Sequence, residues 1–178
     1  MSQAIEEYKR RKQADKLFPT VRPMADFMAS GNSSHGIIEA IIESFCDHWA
    51  PDGAILGVFN SKQQGTHLNT DALAILGVSL KSAAELPDVI IHDTRRNRLL
   101  LIEAATSGGP IDETRRKELK ELFDECTADL IFITVFESRC SMQRLTSEIA
   151  WASEVWIAED PGHLIHFSGE AFLKPYKP

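Results

Sequence analysis

The stretch PDVIIHDTRRNRLLLIEAAT, residues 87–106, decides the fold. DVIIHD (88–93) is a β-branched run that opens directly after Pro87, and it reads as a strand. TRRN (94–97) is a polar turn. RLLLIEAAT (98–106) is a second strand, apolar on both faces and therefore central in its sheet. Two strands joined by so short a turn predict an antiparallel hairpin. Pairing about that turn sets residue 88 opposite residue ~103, so Asp88 and Glu103 share one end of the hairpin. A carboxylate embedded in LLLIEAA is costly unless it is paired or bound to a cation. Two convergent carboxylates are hard oxygen ligands of the kind that Mg²⁺ takes. Taken singly, each acid also has a plainer reading: Asp88 as a turn residue after proline, Glu103 as a strand-end charge reaching solvent.

Working outward on the N-terminal side, HGIIEAIIESFCDHW (35–49) carries Ile37, Ile38, Ile41, Ile42 and Phe45 at helical spacing. Pro51-Asp52-Gly53 breaks that helix and GAILGVF (53–59) reads as a strand. Asn60 to Gly65 is a polar loop, and TDALAILGV (70–78) is a short helix capped by Thr70. On the other side, Thr106 to Pro110 forms a loop. IDETRRKELKELFDEC (111–126) is a helix with Asp112 and Glu113 at its positive end. DLIFITVF (129–136) is a buried strand, RCSMQRLTSEIAWA (139–152) a helix, EVWIAE (154–159) a strand and HLIHF (163–167) an edge strand. Trp151 and Trp156, in apolar segments, are expected in the core. From 35 to 136 the order is α-β-β-β-α-β: a hairpin followed by a helical crossover. That order predicts an α/β fold with a mixed central sheet flanked by helices.

A chain of 178 residues makes one domain, two at most. Hydrophobic residues at 43% and charged residues at 25% exclude disorder as the main state. No run approaches the ~18 apolar residues of a membrane helix, and MSQAIEEYKRRKQADKLF lacks the apolar segment of a secretory signal. Three cysteines without a CxxC pair point to a reduced, cytoplasmic setting. A net charge of −7, from 19 basic and 26 acidic residues, argues against a freely roaming basic nucleic-acid binder and leaves room only for a local basic face. Residues 1–34 differ from the rest. They read as a helical appendage: a charged helix over 3–17 with Lys9, Arg10, Arg11 and Lys12, ended by Pro19, then a short helix at 23–29 and the loop Gly31 to Ser34.

Pro87-Asp88, fourteen intervening residues and then Glu103 resemble the PD-(D/E)xK nuclease motif, and the element order matches that nuclease core. PDVIIHD, LIEAATSGGPI, RRKELKELF and SEIAWASEVWIAEDPGHLIHFSGEAFL together resemble the catalytic domain of the PstI/BsuBI type II restriction endonucleases, over about residues 35–176. The resemblance implies a restriction-endonuclease-like nuclease domain over 35–178. It further implies Mg²⁺-dependent hydrolysis of double-stranded DNA, with Mn²⁺ tolerated and with Asp88 and Glu103 as metal ligands.

The superfamily motif places a lysine two residues after the glutamate. Here that position is Ala105, on the face of Glu103 by strand alternation. The Glu-Ala-x-Thr-Ser pattern of the family shares the departure. Arg115, Arg116 and Lys62 are the candidates for a substitute cation. On the 111–126 helix the apolar face is set by Leu119, Leu122, Phe123 and Cys126. At ~100° per residue Arg115 lies about 30° from its centre, Arg116 about 70°, and Lys117 nearly opposite. Arg115 is therefore the expected partner of a phosphate held between Asp88 and Glu103, the alternative being that it only pairs with Glu103 or caps the sheet.

The superfamily resemblance also implies a glutamate from the 35–48 helix. Glu39 and Glu43 share a face there, Glu43 being preferred, with a solvated helix face as the alternative. Thr106 and Ser107 either touch a phosphate or simply open the turn. Cys46-x-His48 and His163-Leu-Ile-His166 lack the ligands that would complete a zinc site.

Enzymes of the family carry an N-terminal region that helps to read DNA sequence, and only ~34 residues precede the nuclease domain here. The expected assembly is a homodimer, which sets two active sites on opposite strands, or a complex with a DNA-binding partner. The competing expectation is an inactive or partner-dependent nuclease-fold module that binds DNA or protein.

Overall fold

The computed structural model describes residues 35–59, 67–79, 86–106 and 108–169. The expected N-terminal appendage with its Lys9–Lys12 cluster, Lys62 and Ser107 lie outside the described residues.

The first helical segment runs through α1 (His35–Ala40), a π-helical turn (Ile41–Phe45) and α2 (Cys46–Trp49). Its repeated isoleucine pairs keep one side buried across the wide turn. After Pro51 come β1 (Gly53–Val58), the two-residue strand β2 (His67–Leu68), which the sequence did not announce, and α3 (Thr70–Ile75). The cap of α3 is Asn69, one residue before the expected Thr70: its side chain accepts the Ala72 N–H at 3.0 Å.

The hairpin is β3 (Val89–Asp93) and β4 (Arg98–Ala104), antiparallel, with Val89 opposite Ile102 and Asp93 opposite Arg98. Crossover helix α4 (Glu113–Leu122) leads to β5 (Asp129–Phe136), parallel to β4. Then come α5 (Arg139–Leu145), β6 (Ser153–Ile157) and the edge strand β7 (Leu164–Phe167). The sheet order is β2-β1-β3-β4-β5-β6-β7, mixed as expected.

Strand alternation divides the core into two faces. On one, Ile37, Ile38, Ile41, Ile42 and Phe45 pack on Val89, Ile91, Leu100, Ile102 and Val135. On the other, Leu73 of α3, Leu119 of α4 and Phe123 just beyond it pack on Ile90, Leu99, Leu101 and Phe132. Each such side chain contributes about 1.5–3 kcal/mol on burial. Phe136, Val155 and Ile157 extend this second face beneath Met142 and Leu145 of α5. Among the described residues no helix is long and apolar enough to cross a membrane.

Two expectations need correction. The helix expected over 139–152 ends early: α5 stops at Leu145, a 3₁₀ turn covers Thr146–Glu148, and Ile149 is extended. The reason is competition for backbone donors. The Ala150 N–H bonds the Ile111 carbonyl at 3.0 Å and the Trp151 N–H bonds a Glu113 carboxylate oxygen at 2.9 Å, so neither can serve a helix. Trp151 is consequently 62% exposed and leans on Phe167 instead of entering the core. Trp156 is fully buried, edge-on to Phe45. Cys46 is likewise core, its thiol pushed up to about 12 by burial, while His48 is exposed and bonded to the Ser44 carbonyl.

Candidate active site at the open end of the hairpin

The register that pairs Val89 with Ile102 continues one step further to set Asp88 across from Glu103. Asp88 is held in two ways. Its carbonyl accepts the Phe59 N–H at 2.7 Å, tying it to the end of β1, and its carboxylate accepts the Ala104 N–H at 2.9 Å, tying it to β4. Glu103 shares the parity of Leu99 and Leu101, and Asp88 that of Ile90, so both carboxylates face the α4 side of the sheet.

α4 supplies the cation. Asp112 caps it, accepting the Arg115 N–H at 2.7 Å. One turn in, the Arg115 guanidinium reaches back over the sheet. Its Nε and Nη2 both donate to Glu103 Oε1 at 2.7 Å, and its Nη1 donates to Glu118 at 3.3 Å. The Arg115 and Glu103 side chains are only 24% and 16% exposed, so the pair is shielded from bulk water far more than a surface salt bridge. Lys117 points away, 77% exposed and 3.8 Å from Glu121, as the helical arithmetic requires.

Burial pushes the Asp88 carboxyl above the ordinary aspartate range. The Glu103 charge raises it further, against the Ala104 N–H and Arg115, which favour the anion. Burial lowers the Arg115 guanidinium, but its hydrogen bond and charge contact with Glu103 outweigh that and hold it above its usual value. Among the described residues the corner thus carries a carboxylate pair whose negative charge one guanidinium, shared with Glu118, does not fully offset.

Glu39 and Glu43 are not brought to this corner. Both are exposed on the first helical segment, which packs on the opposite face of the sheet. Arg116 pairs with Glu113 at 3.1 Å, beside the site and not in it. Thr106 is exposed at the end of β4. His163 and His166 are exposed and pair with Asp160 and Glu154. Among the described residues no three or more His, Cys, Asp or Glu side chains gather as a metal-binding group. Two carboxylates suffice for Mg²⁺, which keeps several waters and takes its remaining ligands from a substrate phosphate. Sequence reasoning missed Glu118, the second partner of Arg115. Its signal was the i,i+3 spacing on α4.

The α-β-β-β-α-β core, with β4 and β5 parallel across a helical crossover and acids at the hairpin's open end, defines a restriction-endonuclease-like α/β protein. The chain belongs to the BsuBI/PstI restriction endonuclease domain family, whose model matches residues 20–170. It is 35% identical over 173 residues to the type II restriction enzyme BsuBI of Bacillus subtilis, covering 97% of this chain and 55% of that protein. To the type II restriction enzyme AplI of Arthrospira platensis it is 26% identical, covering 94% of this chain and 53% of that protein. Its fold superposes on the SdaI restriction endonuclease with a TM-score of 0.77 at 35% identity, over 84% of this chain and 47% of that one. The chain spans about half the length of the relatives it matches.

Proposed function

We propose that this chain is the nuclease part of a restriction system, hydrolysing phosphodiester bonds of double-stranded DNA with Mg²⁺, and with Mn²⁺ tolerated. The observation that carries the reading is the convergence of Asp88, Glu103 and Arg115 on one face at the open end of the hairpin. Asp88 and Glu103 would hold the cation. When bound, the divalent ion supplies Lewis acidity toward a phosphate oxygen and toward the attacking water.

The chain's own groups do the rest. The Ala104 N–H and Phe59 N–H fix Asp88, so its carboxylate needs no reorganisation. Arg115, beside Glu103 in a chain with Ala105 at the motif's lysine position, exchanges part of the contacts that its outer guanidinium nitrogens make with Glu103 and Glu118 for the phosphate as charge develops in the transition state. Its planar, permanently charged fork suits that task. Glu118 steadies it from the other side.

Double-stranded DNA is the partner. The working form is a homodimer or a complex with a DNA-binding protein, in the cytoplasm, with residues 1–34 as an appendage to the nuclease domain at 35–178. The test is direct. Purified protein incubated with plasmid is expected to cut both strands with Mg²⁺ or Mn²⁺ and to be silent with EDTA. Light scattering reads its assembly. Divalent binding without cleavage of plasmid or of single-stranded DNA would favour instead a partner-dependent nuclease-fold module, which the direct Arg115–Glu103 pairing also permits.

A further inference from the structure

We propose that Thr134 is a positioning residue: its hydroxyl fastens the entrance of α4 to the strand beside Glu103 and so sets where the Arg115 guanidinium stands. The inference rests on reading Arg115 as the cation of the site.

Thr134 is fully buried in the middle of β5, and its neighbours on the same face, Phe132 and Phe136, are apolar. A hydroxyl in such a place is expensive unless it is used. Its use is specific. Thr134 Oγ1 accepts the N–H of Ile111 at 3.0 Å. Ile111 is itself fully buried just before α4, and its carbonyl accepts the Ala150 N–H at 3.0 Å. Thr134 is also the residue that lies beside Glu103 in the β4–β5 register. One side chain therefore fixes the helix entrance relative to the very strand position whose neighbour carries the carboxylate.

Arg115 stands four residues beyond Ile111, about 6 Å along a rigid helix axis. A shift of the entrance passes to it almost undiminished. Both of its contacts with Glu103 are already at 2.7 Å, so a movement of ~1 Å would take them out of hydrogen-bonding range. Valine would fill the same volume as threonine, so packing alone does not call for the hydroxyl. Without it, the Ile111 N–H becomes a buried donor that must move to find a partner.

Three variants of the whole chain test this: T134V, T134S and R115A/T134V, beside R115A. The first readout needs no cleavage. The Nε–H of Arg115, assigned through its absence in R115K, is followed by ¹H–¹⁵N spectroscopy without metal. It is expected shifted or exchange-broadened in T134V and retained in T134S. The second readout is Mg²⁺-dependent plasmid cleavage. T134V is expected to lose roughly 10–10²-fold in kcat, the scale of a 1 Å misplacement, with KM little changed. T134S stays near wild type, and R115A/T134V is no slower than R115A.

An unchanged Nε resonance in T134V, equal damage in T134S, or multiplicative losses in the double variant would overturn the proposal. If T134V fails to fold, T134S and T134A, which differ by one hydroxyl, carry the same comparison. A wild-type chain that cuts nothing would refute the nuclease reading alone, and the resonance would still decide the role of Thr134.

Discussion

The two ends of the β3–β4 hairpin each hold a carboxylate beside an arginine, and they serve opposite ends. At the turn, Asp93 is almost fully buried, and among the described residues its carboxylate hydrogen bonds go to its own loop. One oxygen accepts the Arg96 N–H at 3.3 Å, and the other meets the Arg96 guanidinium at 3.0 Å. Asn97, with φ of 50°, closes the turn by donating to the Thr127 carbonyl at 3.1 Å. One acid meets one cation three residues away, and the charges balance locally. At the open end, Asp88 and Glu103 arrive from different strands, and their cation comes from a helix twelve residues beyond Glu103 and is shared with Glu118. Among the described residues that corner keeps an excess of negative charge in a half-buried place. Balanced charge holds a turn together, whereas an excess of negative charge favours a further cation.

The largest expected effect breaks the comparison at its open end. Asp88→Ala and Glu103→Ala should each abolish plasmid cleavage with the cooperative melt kept; Asp88→Ala removes a desolvated carboxylate that repels its neighbour, whereas Glu103→Ala also leaves Arg115 without its closest partner and should lower the melting temperature. Full nicking by Glu103→Ala would sink the site. Next, Arg115→Ala should slow cleavage ~10²–10³-fold, the range for one group that stabilises a transition state. Lys117→Ala, a control on the solvent side of the same helix, should stay within a few-fold of wild type. Equal rates for these two variants would show that the helix face has been assigned wrongly.

At the turn the sign reverses. Asp93→Ala should cost about 1–3 kcal/mol of stability, as for a buried hydrogen-bonded charge that leaves its partners unmet. Cleavage by the folded fraction should stay close to wild type. Urea melts beside kinetics would separate the two quantities.

The smallest effect concerns pH. The Asp88 pKa lies above the unfolded value near 3.8, so the protonated form favours folding and that stability fades as pH rises through the folded value. Asp88→Asn can still accept the Ala104 N–H but carries no charge. Its melting temperature should therefore gain on wild type as pH climbs from about 4 toward neutrality. Added Mg²⁺ should close the gap by raising wild type alone. A gap constant across pH would mean that Asp88 is not desolvated as described.

Much of this architecture was legible residue by residue. The turn TRRN between two β-branched and aliphatic runs sets the hairpin and its register, because turn length and a two-residue period are local properties. Asp88 opposite Glu103 follows from that register. The direction of Arg115 follows from 100° steps on an amphipathic helix. Other features had no local signal. Glu43 lies on a helix whose polar face looks the same whether it meets solvent or a site, and only the packing of Ile37 to Phe45 on the far face of the sheet shows that it meets solvent. Helix 139–152 has a good pattern but loses its last residues to the Ile111 carbonyl and to Glu113, partners about forty residues away.

The sequence by itself thus determined the α-β-β-β-α-β order, the mixed sheet and the facing acids, since each depends on neighbours along the chain. Only the tertiary structure decided which glutamates stand apart, that Trp151 lies outside the core, and that Thr134, between Phe132 and Phe136 on its face of β5, is the anchor of α4. Those outcomes depend on which buried donor meets which acceptor once distant segments are pressed together, and a buried polar group takes whatever partner the packed fold brings within reach.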